Sequence, residues 1–399
     1  MATWQELEAK YLMHTYNRQP VVLVRGQGCR VRDENDRCYL DLVAGIAVNC
    51  LGHSHPAVAE AVHNQAHRLI HTSNLYYTIP QIELAQLLVE NSCADRAFFC
   101  NSGAEANEGA IKLARKWGKL HRNGAFGVIS ATGSFHGRTL ATVAATGQAK
   151  YQKPFLPMPD GFVQVPFNDL EAAQKATTDQ TVAILVEPVQ GESGVHPARK
   201  EYLQGLRAWC DEKGILLIFD EVQTGLGRTG KLFGYQHFGV EPDIFTLAKG
   251  AAGGLPIGVL LAKEHACVFE PGDHASTFGG TPLVCAAGLA TMRTILNERL
   301  PEHAARVGEY FRGRLRELKT RQPLIKDVRG LGLMIGVDLS EDVAKQVVAA
   351  ALDRGLIINA TGEHTLRFVP PLILTQGDVD EAVDILERVL AICAPTQTP

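Results

Sequence analysis

Asp220 and Glu221 close an apolar run in the segment LLIFDEVQTGLGRTG, residues 216–230, and Gly225, Gly227 and Gly230 then follow as G-x-G-x-x-G. That spacing can cradle the pyrophosphate of a dinucleotide. A dinucleotide fingerprint, however, follows its strand directly, opens a helix and precedes an acidic residue by about 20 positions. Here EVQT separates Asp220 from Gly225, and KLFGYQHFGVEPD after Gly230 is a poor helix, carrying Gly234, Gly239 and Pro242. The three glycines therefore read as a loop that needs tight backbone turns.

Asp220 points to different chemistry. Ligands of open α/β sheets bind beyond the carboxyl ends of the strands. Asp220 stands at such an end, Asn101 to Gly103 stand at another after RAFFC, and DIFTLAKG ends a third with Lys249. Pyridoxal phosphate needs a lysine amine for a Schiff base, an anion for its ring nitrogen and a cradle for its phosphate. NSGAEANE supplies a glycine turn entering a helix N-terminus, where free N–H groups favour an anion. Singly, each feature has an ordinary explanation: a strand-end cap, a solvated lysine, a capped helix. Together, in this order, they are far more specific.

The elements that must hold these residues are legible as alternation. RAFFC (96–100), FGVISA (126–131), VAILVE (182–187), ILLIFD (215–220), DIFTLA (243–248) and IGVLLA (257–262) read as buried strands. SGAEANEGAIKLARKWGKLH reads as a helix with Ala110, Leu113, Ala114 and Trp117 on one face, and KEYLQGLRAWCDEKG as a helix with a glycine C-cap. Continuous apolar strands between helices predict a mostly parallel sheet covered on both faces. The tail, through LGLMIGVDL, VAKQVVAAALDRG, LIIN, TLRFVP and VDEAVDILERVLAIC, reads as β-α-β-β-α, a smaller C-terminal unit. An amphipathic stretch from about 283 to 320 is expected to connect the two.

Composition excludes several classes. Hydrophobic content of 46%, charged content of 21% and a net charge of −4, with scattered Lys and Arg, suit a globular protein without a nucleic-acid or anionic-membrane partner. No run such as LPIGVLLA is long enough to span a bilayer, and the first twenty residues lack a secretory apolar core. Nine cysteines without C-x-x-C fit a reduced cytoplasmic compartment. His63, His67 and His71 share i, i+4, i+8 spacing, but no Cys or carboxylate completes a ligand set, so a polar helix face is expected and no metal.

GIAVNCLGHSHP, FFCNSGAEANE, SFHGRT, VEPVQGESGV, FDEVQTGLGRTG, TLAKG, STFGG and LRFVPPL occur in this order over nearly the whole chain, and the sequence resembles the class III, or ω-amino acid, pyridoxal phosphate aminotransferases. Thr281 departs from the pattern, standing where the family usually has Asn. The resemblance implies fold type I: an N-terminal segment (1–60) packing with the small domain, a large cofactor-binding domain (61–300) and a small C-terminal domain (301–399). It implies that Lys249 carries pyridoxal 5′-phosphate and moves the proton, and that Asp220 pairs with the ring nitrogen. Gln223 would donate to the phenolate oxygen and Phe135 would stack on the ring. Ser102, Gly103 and Ala104 would hold the phosphate, with Thr277 reaching it from the partner of a homodimer.

For substrates, the resemblance implies that Arg138 clamps the α-carboxylate of an amine donor such as N2-acetylornithine, with Ser276 beside it. Arg367 would bind the α-carboxylate of 2-oxoglutarate or glutamate, and Glu192 would pair with Arg367 when no such carboxylate is present. Ile46 stands where ornithine-specific members usually carry Tyr, and an apolar residue suits an acylated amine. The implied activity is ω-amino transfer from acetylornithine to 2-oxoglutarate. Ornithine, succinylornithine, succinyldiaminopimelate and 4-aminobutyrate are the competing donors, and an aminomutase is a more distant alternative.

Overall fold

The computed structural model describes residues 2–393. Near the N-terminus, β1 (Leu23–Gln27), β2 (Arg30–Asp33) and β3 (Cys38–Asp41) form an antiparallel meander. The central part contributes β4 (Arg96–Cys100), β5 (Gly127–Ala131), β6 (Phe162–Val165), β7 (Thr181–Val186), the short β8 (Val189–Gln190) and β9 (His196–Pro197), β10 (Leu216–Asp220), β11 (Ile244–Leu247) and β12 (Gly258–Ala262). Apart from the β8–β9 pair these make one seven-stranded sheet in the order β4-β12-β11-β10-β7-β5-β6. Its neighbours run parallel except at β12, which is antiparallel to both β11 and β4.

Every residue of β7, β10, β11 and β12 is buried, as continuous apolar strands require. Alternate side chains enter different cores. Val182, Leu185, Leu216 and Ile218 pack with Ala110, Leu113 and Ala114 of the helix Gly103–His121. Ile184, Val186, Leu217 and Phe219 pack with Tyr202, Leu203 and Leu206 of the helix Lys200–Lys213, which ends at Gly214 in the left-handed conformation. The sheet is thus sandwiched, and its carboxyl edge is free to carry the site.

The C-terminal part adds β13 (Ile325–Leu331), β14 (Met334–Leu339), β15 (Leu356–Ile357), β16 (Asn359–Ala360) and β17 (Thr365–Phe368), with β13-β14-β17-β16 as a second sheet. LIIN does not form one strand there: β15 pairs parallel with β3 instead, tying the N-terminal meander to the C-terminal part. The amphipathic stretch at 283–320 is two helices, Pro282–Asn297 and Leu300–Lys319, broken at Arg299 in a left-handed conformation. His71 does not continue the helix of His63, which ends at Ala66 with His67 as its cap. The chain turns away, and His71 faces Thr281 Oγ1 at 3.2 Å and the Phe278 ring at 5.0 Å. Thr281 also donates from Oγ1 to the Ile70 carbonyl at 2.6 Å, so the unusual threonine pins residues 70–71 to the loop before its own helix.

Candidate active site

Parallel pairing of β10 with β11 sets Asp220 beside Thr246, so Lys249 emerges three residues further along the neighbouring strand. Both line a cavity of about 410 Å³ at the carboxyl edge of the sheet, together with Ser102, Gly103, Ala104, Phe135, Arg138, Glu192 and Gln223. Asp220 is buried and held by three donors. Its Oδ2 accepts from His136 Nδ1 and Asn107 Nδ2, each at 2.8 Å, and its Oδ1 accepts from the Val222 amide at 3.0 Å. Thr246 Oγ1 donates to Asn107 Oδ1 at 2.7 Å, which orients the asparagine so that its NH₂ faces the carboxylate. An anion is thereby fixed at a water-poor position.

Lys249 sits at φ 41°, in the left-handed region that a lysine rarely adopts, and strain of this kind concentrates at functional sites. Burial lowers its pKa, with the Glu192 carboxylate opposing the shift. Glu192 accepts from Arg367 Nη1 at 2.6 Å and from Gln223 Nε2 at 3.2 Å. Burial works against the Glu192 charge, yet the Arg367 guanidinium and Lys249 hold its carboxyl below the ordinary range. Arg367 is 1% exposed on β17 and also donates to the Gly191 carbonyl at 3.1 Å. Arg138 is exposed on the cavity wall with its guanidinium 4.0 Å from the Tyr151 ring and 5.4 Å from the Phe135 ring. Among the described residues no carboxylate lies within ion-pair distance of it.

The helix Gly103–His121 begins at the same edge. Ser102 Oγ accepts from the Glu105 amide at 3.1 Å, and the Glu105 carboxylate turns back to the amide and side chain of Asn101. The amides of Gly103 and Ala104 keep no partner of their own, at the positive end of a 19-residue helix. A side chain at Gly103 would stand 2.8 Å from Val222, and one at Gly137 would stand 2.8 Å from Ala104. The cradle is therefore open to a ligand but closed to any larger residue. An amine, a fixed carboxylate and free helix-end amides around one cavity fit pyridoxal phosphate.

Four sequence-derived residues lie outside this cavity's lining: Arg367, which meets it through Glu192, and Ser276, Thr277 and Ile46. Ser276 is next to it, its Oγ accepting from Asn101 Nδ2 at 3.2 Å. Thr277 is exposed. Ile46, two residues from the lining Val48, is 42% exposed. It belongs to a turn in which Ala44, Gly45, Ile46 and Ala47 have φ of 51°, 63°, 65° and 62°. A left-handed residue costs about 1–2 kcal/mol, so this turn must be held by its surroundings. Asp41 does so, accepting from the amides of Val43 and Ala44 at 2.8 and 3.0 Å while contacting His53 Nε2 at 2.7 Å.

Sequence reasoning missed His136, Asn107 and Glu187. Glu187 stands one residue beyond β7, the same strand-end position that exposed Asp220. It lines the cavity and accepts from the Phe135 amide at 3.2 Å. Burial and the nearby Asp220 charge push its carboxyl well above the ordinary range.

Comparison with known proteins agrees with this geometry. The family model described as Aminotransferase class-III matches residues 11–390. The acetylornithine aminotransferase of Caldanaerobacter subterraneus is 54% identical over 96% of this chain and 98% of its own. The crystal structure of acetylornithine aminotransferase from Elizabethkingia anophelis superposes with a TM-score of 0.87 at 34% identity, covering 97% of this chain and 98% of that one. Ornithine aminotransferase from Toxoplasma gondii gives a TM-score of 0.94 at 33% identity, covering 98% and 96%.

Proposed function

The chain belongs to the class-III aminotransferases, and on that premise we propose that it moves the ω-amino group of N2-acetyl-L-ornithine to 2-oxoglutarate, giving N-acetylglutamate 5-semialdehyde and L-glutamate, a step of arginine biosynthesis. The observation that carries this reading is a pair of unlike guanidiniums about one amine. Arg138 has no ion-pair partner on the wall of the Lys249 cavity, and Arg367 is held by Glu192 beside it. A donor that reacts at its far amine needs a distant carboxylate clamp. Glutamate, reacting at its α-carbon, needs a near one. Arg138 serves the first with Ser276 beside it, and Arg367 the second, since a guanidinium grips a carboxylate bidentately.

Bound to the Lys249 amine, pyridoxal phosphate supplies an exchangeable carbonyl and a ring that accepts the electron pair left when the substrate C–H bond breaks. Asp220, held by His136 and Asn107, keeps a negative charge at the ring nitrogen. Gln223 would donate to the phenolate oxygen, Phe135 would cover the ring face, and Ser102 with the amides of Gly103 and Ala104 would hold the phosphate. The free Lys249 amine would hold and move the proton of the substrate carbon.

Ile46 cannot accept a hydrogen bond from a free α-ammonium, so ornithine would desolvate that group without compensation. The half-exposed position keeps the penalty at the low end of ~1–3 kcal/mol, about tenfold. A panel of amine donors with 2-oxoglutarate should therefore give acetylornithine about tenfold the kcat/KM of ornithine. Equal or better activity on free ornithine would reject the reading.

The active unit is a homodimer in this proposal, with Thr277 of the partner subunit completing the phosphate site. What supports it is an exposed apolar strip continuous with that loop. Leu75, Tyr76, Tyr77 (96% exposed), Ile79 and Phe278 all face outward, and Asn74 Nδ2 donates to the Ser276 and Gly279 carbonyls at 2.9 and 3.0 Å. Light scattering should report twice the chain mass, and Tyr77→Glu should give a monomer without turnover. A fully active monomer would refute shared sites. The chain divides in this reading into the N-terminal segment 1–60, a large domain 61–300 and a small domain 301–399. A cytoplasmic location is supported by nine cysteines that all stand as free thiols. Among the described residues no helix is long and apolar enough to cross a membrane.

A further inference from the structure

Arg228, inside the G-x-G-x-x-G segment, is a buried guanidinium with no role in the chemistry above. It is 2% exposed, no carboxylate among the described residues lies within ion-pair distance, and Nη2 has no partner at all. Burial lowers its pKa to about 10. An unpaired buried charge is costly, so its position calls for an explanation. Its Nη1 donates to two carbonyls, Leu333 at 3.0 Å and Pro370. These are not arbitrary acceptors. The register that pairs Ile335 with Phe368 and Gly336 with Arg367 brings Leu333 and Pro370 opposite each other, two steps beyond the end of the β14–β17 ladder. Pro370 has no N–H with which to continue the ladder. The guanidinium of Arg228 supplies the missing donor and bridges both strands where the backbone cannot.

The rest of the loop is fitted to the same spot. Arg228 accepts at its own carbonyl from the Leu333 amide at 3.0 Å. A Cβ on Gly332 would lie 2.3 Å from the Thr229 carbonyl carbon, and one on Gly230 (φ 95°) would lie 2.9 Å from Ala305. Arg312 Nη1 holds the Gly332 carbonyl from the other side at 2.9 Å. Arg228, Thr229 and Gly230 of the segment that resembled a dinucleotide loop thus form a socket for the turn between β13 and β14. Eight residues upstream the same segment carries Asp220, and five upstream it carries Gln223. Three residues before Pro370, β17 carries Arg367.

We infer that Arg228 is a positioning residue for Arg367: by capping the β14–β17 ladder it fixes the distance between the glutamate α-carboxylate clamp and the amine of Lys249. This rests on the proposed role of Arg367, and the test separates the two. Glutarate, a dicarboxylate that cannot react, is titrated calorimetrically into the cofactor-loaded enzyme, and each half-reaction is followed in single turnovers. Arg228→Met should weaken glutarate about tenfold and slow the glutamate half-reaction similarly, while the acetylornithine half-reaction stays within about twofold, because one charge-assisted contact is held out of line. Arg228→Lys, which keeps a donor for one carbonyl, should recover part of the loss, and it carries the test if the methionine variant melts. In an Arg367→Ala background, Arg228→Met should cost no further glutarate affinity. Equal slowing of both halves with unchanged glutarate affinity, or an undiminished loss in that background, would overturn the inference. If Arg367→Ala alone leaves glutarate binding intact, the role of Arg367 is what fails.

Discussion

Lys249→Ala is expected to retain folded protein and some bound cofactor but to lose turnover by about 10⁴-fold, the upper end of what one positioned acid–base group contributes. The size follows from the two duties proposed for one amine, covalent carriage and proton transfer. Asp220, Glu187 and Glu192 surround Lys249 as carboxyl groups, and the His136 imidazole on the cavity wall is tied through Nδ1 to Asp220. Lys231 and Lys263 are not part of the cavity, and Lys263 is paired with Glu241 at 2.9 Å. Borohydride reduction and peptide mapping of the wild type should put the label on Lys249, and a label on Lys231 or Lys263 would reassign the site. Burial also predicts a pH signature. With its pKa lowered, the amine sheds its proton below the ordinary lysine range, so the rise in activity governed by the free base should fall there too. Residual turnover within tenfold of wild type would show that another group moves the proton.

Lys249 and Asp220 were legible because a parallel sheet puts its site at strand ends, and strand ends can be read from apolar runs. Glu187 satisfied the same rule and was overlooked, since a glutamate before proline also looks like an ordinary strand terminus. His136 and Asn107 could not be found that way. Asn107 reaches Asp220 across 113 residues of sequence, and its burial within a helix full of alanines is visible only when the helix lies on the sheet. The socket around Arg228 was equally hidden, because its meaning lies in the missing N–H of Pro370, 142 residues away. At the level of elements, β13 was lost because its IKDVRGL run is mostly polar and only partly buried, and the split of LIIN because two-residue strands leave little periodicity to read. The His63, His67, His71 spacing misled in the opposite direction, a helical repeat that outlasts its helix.

Glu192→Ala should separate the two half-reactions. In the structure Glu192 Oε1 receives both Arg367 Nη1 and Gln223 Nε2, so the guanidinium proposed as the glutamate clamp is closed by an internal carboxylate. Because its carboxyl is held below the ordinary range, that pair persists at neutral pH and is lost only as pH falls through the lowered value. While the ω-amine donor occupies the cavity, Arg367 then has an anion and does not compete for the donor's α-carboxylate. When 2-oxoglutarate arrives, its carboxylate must displace Glu192. In Glu192→Ala, Arg367 keeps only neutral partners, the Gly191 carbonyl and the Asn359 side chain. The glutamate half-reaction should be kept or accelerated, since no internal anion is left to displace. The acetylornithine half-reaction should fall, because Arg367 captures its α-carboxylate and presents the wrong end of the molecule to Lys249. A charge-assisted contact contributes ~1.5–3 kcal/mol, so the ratio of the two rates should change roughly tenfold to a hundredfold. Single-turnover absorbance changes measure each half separately. Slowing of both by one factor would mean that Glu192 only supports the loop of residues 191–194, and that Arg367 discriminates between substrates without a switch.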